Sequence, residues 1–218
     1  MERLHGVNER LRVAVLVSKR GTILRRLLES KSYDVVAIFT DSKDSEATEI
    51  GSYHNIPVIV NDIDDFYAGR PKSDMQLRKE FDAETAKSLS TFKPDILAFA
   101  GYMHVATAPL IDSFTCINFH PADLTILNPD GTRKYTGRDA VKRAILAGEE
   151  FIRSSVILVD RGLDTGKVLF LSKCLKISSK SDDKGVERLL EESECLSKAL
   201  SAIAAGRFSE LITNRVEE

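Results

Sequence analysis

Apolar residues fall in short β-branched runs that alternate with stretches of helical spacing. From Leu11 to Val17 the chain is a β-branched run, and Ser18-Lys19-Arg20-Gly21-Thr22 then turns into a helix with Ile23, Leu24, Leu27 and Leu28 on one face. Tyr33 to Thr40 predicts the next strand, Glu46 to Tyr53 a helix opened by the polar run Asp41 to Ser45, and Ile56 to Val60 a third strand. The stretch Asn61 to Asp74, rich in Asp, Pro, Gly and Ser, reads as a surface connection ahead of a long helix from Met75 to Thr91. Ile96 to Ala100 is apolar at every position, as a central parallel strand is, and it stops at Gly101. A short helix over Ala108 to Ser113 leads into Cys116 to Pro121, a strand that ends abruptly in polar residues. Leu127 to Tyr135 reads as a mobile loop, Arg138 to Ala147 as a helix, and Ser154 to Val159 and Lys167 to Ile177 as a closing hairpin. Val186, Leu189, Leu190, Leu196, Leu200 and Ile203 predict one C-terminal helix that ends near Gly206. Strands alternating with helices predict an α/β protein with a Rossmann-like, doubly wound, mostly parallel sheet.

The composition narrows the function classes. At 218 residues one domain is expected, with its core over about residues 12–208. A formal net charge of −2 leaves no broad field to attract nucleic acid, so an anionic ligand has to be met by local charge. The three cysteines, Cys116, Cys174 and Cys195, are odd in number and far apart, which fits buried or half-buried thiols in a reducing, cytoplasmic compartment. The chain opens without an export signal, and the run Val13 to Val17 is too short to span a bilayer. The four histidines and three cysteines show no metal-ligand spacing, so no metal is expected.

Candidate chemistry gathers at the end of the Cys116 strand. Residues two apart on a strand share a side, so Asn118 and His120 project together, and both can donate a hydrogen bond to one developing oxyanion. A carboxylate near His120 would raise the imidazole pKa and could pass a proton through water. Asp164, in the polar loop Asp160 to Gly166, is the candidate. Because that loop is polar, it is expected to be wet, and the carboxylate is expected to keep His120 charged near neutrality.

Taken together, Ile117-Asn118-Phe119-His120-Pro121, the later Val159-Asp160-Arg161-Gly162-Leu163-Asp164-Thr165-Gly166, and Leu97 to His104 resemble the catalytic core of the folate-dependent formyltransferases. The resemblance implies the formyltransferase fold, with Asn118, His120 and Asp164 as catalytic residues. It further implies that 10-formyltetrahydrofolate, the formyl donor, is held by Met103, His104, Val105, Ala106, Asp160, Arg161, Gly162, Leu163 and Arg78. A small phosphorylated amine would be held by Arg20, Gly21, Thr22, Ile23, Pro121 and Glu192. The length resembles members that consist of the catalytic domain alone, and these use glycinamide ribonucleotide as acceptor in purine biosynthesis. Two rivals stand beside that reading: a formyltransferase for another amine, such as an amino sugar nucleotide, and a Rossmann-like ligand-binding protein without turnover. No nucleic-acid or membrane partner is expected, and the chain is expected to be a monomer or a homodimer.

Overall fold

The computed structural model describes residues 10–207; residues 1–9 and 208–218, the ends of the expected domain, lie outside the described residues. The first half winds as β1 (Arg12–Val17), α1 (Thr22–Leu28), β2 (Asp34–Thr40), α2 (Ala47–His54), β3 (Val58–Val60), α3 (Ile63–Tyr67) and α4 (Met75–Ser90). There follow β4 (Ile96–Phe99), α5 (Ala108–Ile111), β5 (Thr115–His120), α6 (Ala140–Leu146), β6 (Phe151–Ile152) and β7 (Ser155–Leu158). The chain finishes with β8 (Val168–Leu171), β9 (Leu175–Lys176), α7 (Asp183–Glu191) and α8 (Cys195–Ala204).

Seven strands form one sheet in the order β3-β2-β1-β4-β5-β7-β8. From β3 to β5 all neighbours are parallel, while β5–β7 and β7–β8 are antiparallel, so the expected closing hairpin is present. Strand alternation divides the core. Val13, Val15 and Val17 of β1 pack with Leu24, Leu27 and Leu200 on one face, whereas Ala14 and Leu16 pack with Phe39, Phe81 and Leu89 on the other. Both faces of a parallel sheet must be covered, and this is why its strands read as unbroken apolar runs.

Strand order reverses between β1 and β4, whose carboxyl ends run into Ser18 and Gly101. In open α/β sheets the crevice outside that switch point is where ligands bind. Ser18 N–H donates to Gly101 O at 3.3 Å and closes the base of the crevice.

Three expectations are corrected. Within 61–74 lies α3, which buries Ile63 and Tyr67; Asp62 caps it, its side chain accepting from Asp64 and Asp65 N–H. The single C-terminal helix is two, α7 and α8, because Glu194 turns the chain through a left-handed conformation at φ 59°. The run 167–177 is not one strand either: β8 stays in the main sheet, whereas β9 pairs with β6 in a separate two-stranded ribbon. Cys116 and Cys195 are buried thiols, but Cys174 is exposed.

Candidate active site

β5 brings Asn118 and His120 to the carboxyl edge of the sheet on one side of the strand, opposite Ile157 and Ser155 of β7. They line a cavity of about 650 Å³ together with Pro121 and Asp164. Asp164 reaches it from the β7–β8 loop, and its Oδ2 lies 3.4 Å from His120 Nδ1, with only 5% of the His120 side chain and 9% of the Asp164 side chain exposed. Asn118 makes no side-chain hydrogen bond to another described residue, so its amide is free to face a ligand.

The other ring nitrogen defines the tautomer. His120 Nε2 is 2.6 Å from Tyr135 O, and since a carbonyl only accepts, Nε2 carries the proton. Nδ1 therefore turns towards Asp164. Burial pulls the His120 pKa below its ordinary value of 6.5, against the upward pull of Asp164 and of the Tyr135 carbonyl. The net shift is thus downward and not upward as expected: the Asp164 side chain is enclosed rather than wet, and desolvation outweighs the carboxylate. A neutral ring with Nδ1 unprotonated is a base, and a proton taken up there comes to lie between the ring and Asp164 Oδ2.

Asp164 is itself held from the segment that leads to α6. Gly137 N–H donates to its Oδ2 at 2.6 Å, and Arg133 donates to its carbonyl oxygen and, at 2.8 Å, to that of Gly166. The segment 127–135 is folded on itself, Leu127 bridging Arg133 and Asn128 N–H donating to Thr132 O at 2.8 Å.

Of the other residues expected at the donor site, Met103, His104, Val105, Ala106, Asp160, Gly162, Leu163 and Arg78 line the same cavity. Arg161 does not. It lies on the far side of its loop, exposed and paired with Asp112 at 3.0 Å. Arg78 is buried, donating to Val105 O at 3.1 Å and Tyr102 Oη at 2.7 Å and pairing with Asp82, yet its Nη1 is buried without a partner. His104 is pulled down to about 4, mainly by burial and then by Arg78, so it meets Asp41, 3.3 Å away, as a neutral ring.

A second, smaller cavity of about 160 Å³ opens at the switch point, lined by Lys19, Arg20, Gly21, Thr22 and Ile23 and shared at its rim with the first through Ile23, Gly101, Met103, Glu187 and Glu191. Its opposite wall comes from α7. Lys184, Glu187 and Glu191 face in, whereas Glu192, expected there, points away and binds Arg188 Nε at 3.0 Å. Helical spacing explains the difference: 187 and 191 share one face, 188 and 192 the next. Among the described residues no group of three His, Cys, Asp or Glu is placed to hold a metal ion, and no helix is long and apolar enough to cross a membrane.

The switch-point crevice of this α/β fold holds an amide, an imidazole and a carboxylate, and the formyl transferase family model matches residues 11–200; the chain belongs to that family. Among its relatives is the phosphoribosylglycinamide formyltransferase of Mycobacterium tuberculosis, 26% identical over 200 residues that cover 88% of this chain and 85% of that protein. The trifunctional purine biosynthetic protein adenosine-3 of Drosophila melanogaster is 27% identical over 83% of this chain, which spans only 13% of that protein's length. The fold matches the crystal structure of glycinamide ribonucleotide transformylase 1 from Symbiobacterium toebii with a TM-score of 0.78 and 22% identity, covering 94% of this chain and 93% of that one.

The sequence carried no signal for Arg133, whose role depends on where its hairpin folds. Glu187 and Glu191 were legible only once the register of α7 was known.

Proposed function

We propose that this protein transfers the formyl group of 10-formyltetrahydrofolate to the amino group of glycinamide ribonucleotide. The observation that carries the proposal is the meeting of Asn118, His120 and Asp164 in the larger cavity, which shares part of its lining with the smaller one. The larger cavity, lined by Arg78, Met103 and Ala106 beside the Asp164 loop, takes the folate; the smaller, with Lys19, Arg20 and Lys184, takes the phosphorylated acceptor. Bound there, the folate supplies the formyl carbon.

The chain's own residues do the rest. Asn118 donates its amide N–H to the formyl oxygen as negative charge develops there. His120 Nδ1 accepts the proton that the attacking amine loses, directly or through one water, and Asp164 holds the resulting imidazolium. The imidazolium hydrogen-bonds the same oxyanion and then gives its proton to the departing nitrogen of the folate as the bond from that nitrogen to the formyl carbon breaks. Burial of the pair excludes bulk water from that proton.

The test is to incubate the purified protein with 10-formyltetrahydrofolate and glycinamide ribonucleotide and to follow formylated product by mass spectrometry. Formylation of neither this acceptor nor any other primary amine would overturn the reading. An amino sugar nucleotide is the other acceptor to test, since Glu187 and Glu191 would accept from its sugar hydroxyls as well as from those of a ribose. Such an acceptor run in parallel decides between the two.

A further inference from the structure

Asp164 adopts the left-handed backbone conformation, φ 55°, which Asp tolerates better than most residues with a Cβ but which still costs energy unless neighbouring contacts hold it. Its surroundings come from the hairpin 127–135. Arg133 makes no ion pair among the described residues; two of its guanidinium N–H groups go to main-chain carbonyls, those of Asp164 and Gly166. These two carbonyls bracket Thr165, so the guanidinium spans the turn from which Asp164 projects. The same segment supplies Tyr135 O to His120 Nε2 and Gly137 N–H to Asp164 Oδ2. It is tied to the body of the protein by Tyr135 Oη and Lys134 Nζ on Glu149, at 2.5 Å and 2.9 Å.

We propose that Arg133 is a positioning residue for the His120–Asp164 pair, its bidentate hold on the Asp164 and Gly166 carbonyls keeping Asp164 in the backbone conformation that aims its carboxylate at His120. The proposal rests on the catalytic reading given above. A planar fork of donors fits two carbonyls at once, which an ammonium group does not. Misplacement of a catalytic group by about 1 Å costs on the order of 100-fold in rate.

The charges around His120 make the test discriminating. Asp164 draws its pKa up, while Arg143 on α6 and Arg133 itself push it down. If Arg133 acts only through its charge, Arg133→Ala raises the His120 pKa. If it positions Asp164, Arg133→Ala frees the carboxylate to move away, and the pKa falls. The experiment is an NMR titration of the His120 imidazole, assigned by its loss in His120→Asn, in wild type, Arg133→Ala, Arg133→Lys and Asp130→Ala. It is run beside steady-state kinetics with both substrates. Asp130 caps only the hairpin tip, through Thr132 N–H at 2.9 Å, and serves as the control.

Expected are a lowered His120 pKa and a tenfold to hundredfold loss of kcat at unchanged KM in Arg133→Ala, on the order that misplacement predicts. Arg133→Lys should recover part of both, and Asp130→Ala should match wild type. A raised or unchanged His120 pKa in Arg133→Ala overturns the proposal, as do equal losses in Asp130→Ala and Arg133→Ala. Should Arg133→Ala fail to fold, Arg133→Lys decides, a titration and kcat identical to wild type overturning the proposal. Should the wild type formylate no amine, the catalytic reading fails, and the titration still reports on Arg133.

Discussion

Gly166→Ala probes how closely the Asp164 loop is fitted to the sheet. A Cβ built on Gly166 would lie 1.6 Å from Leu158 O and 2.8 Å from Leu158 C, and such atoms do not approach below 3.0 Å, so about 1.4 Å must be found between two stretches of backbone. Neither yields as a side chain would: Leu158 N–H donates to Lys167 O at 2.9 Å on one side, and Arg133 holds Gly166 O at 2.8 Å on the other. Overpacking of this kind costs about 1–3 kcal/mol, and loss of the Leu158–Lys167 hydrogen bond adds about 1 kcal/mol. Against a total stability of roughly 5–15 kcal/mol the variant remains folded. Asp164 stands two residues away, so its carboxylate shifts by about 1 Å, and turnover falls by about 100-fold. Urea denaturation reads the first effect, and formylation of the acceptor at saturating folate the second. Gly131→Ala serves as comparison: no atom lies within 4 Å of its added Cβ, and its φ of 83° carries only the left-handed strain, about 1–2 kcal/mol. A Gly166→Ala protein with the wild-type urea midpoint and wild-type kcat would refute the reasoning.

Asn118→Ala and His120→Ala should each lose about 100-fold to 1000-fold in kcat, and the double variant should be little worse than the poorer single one, because the two groups act on one charge; additive losses in a double-mutant cycle would contradict this. Activity should require neutral His120, so it falls as pH drops through a His120 pKa that burial places below 6.5; Asp164→Asn removes the group that draws that pKa up and should move the acid limb lower still, and a limb above 6.5 in a kcat/KM profile would count against the assignment. Arg78→Ala should destabilise the fold by about 3–5 kcal/mol in chemical denaturation, since it leaves Asp82, 0% exposed, without its cation. Arg20→Glu and Lys184→Glu should each raise the KM for a phosphorylated acceptor while leaving the folate KM unchanged, and equal changes in both would move the acceptor out of the smaller cavity.

Parallel strands were legible because burial on both faces makes them continuously apolar, and the alternation of strand and helix predicted a doubly wound sheet, whereas the order of its strands came only with the tertiary structure. Asn118 and His120 were legible too, since strand alternation alone puts residues two apart on one side. Other features depend on contacts distant in sequence. The ribbon of β6 with β9 joins residues 151–152 to 175–176, and each partner is too short to announce itself by pattern. The break between α7 and α8 turns on one left-handed glutamate that carries no glycine signature.

The chemistry of the site divides in the same way. Strand alternation determined that an amide and an imidazole would project together from one sheet edge, because that property is local, whereas the carboxylate was suggested by the family resemblance and meets His120 only through a long-range contact. Tertiary structure decided the direction of the His120 pKa shift, since desolvation depends on everything packed around the ring and outweighed the carboxylate beside it. It also decided that Glu191 rather than Glu192 faces the acceptor cavity, because only the rotation of α7 against the sheet selects which of two adjacent carboxylates points inward.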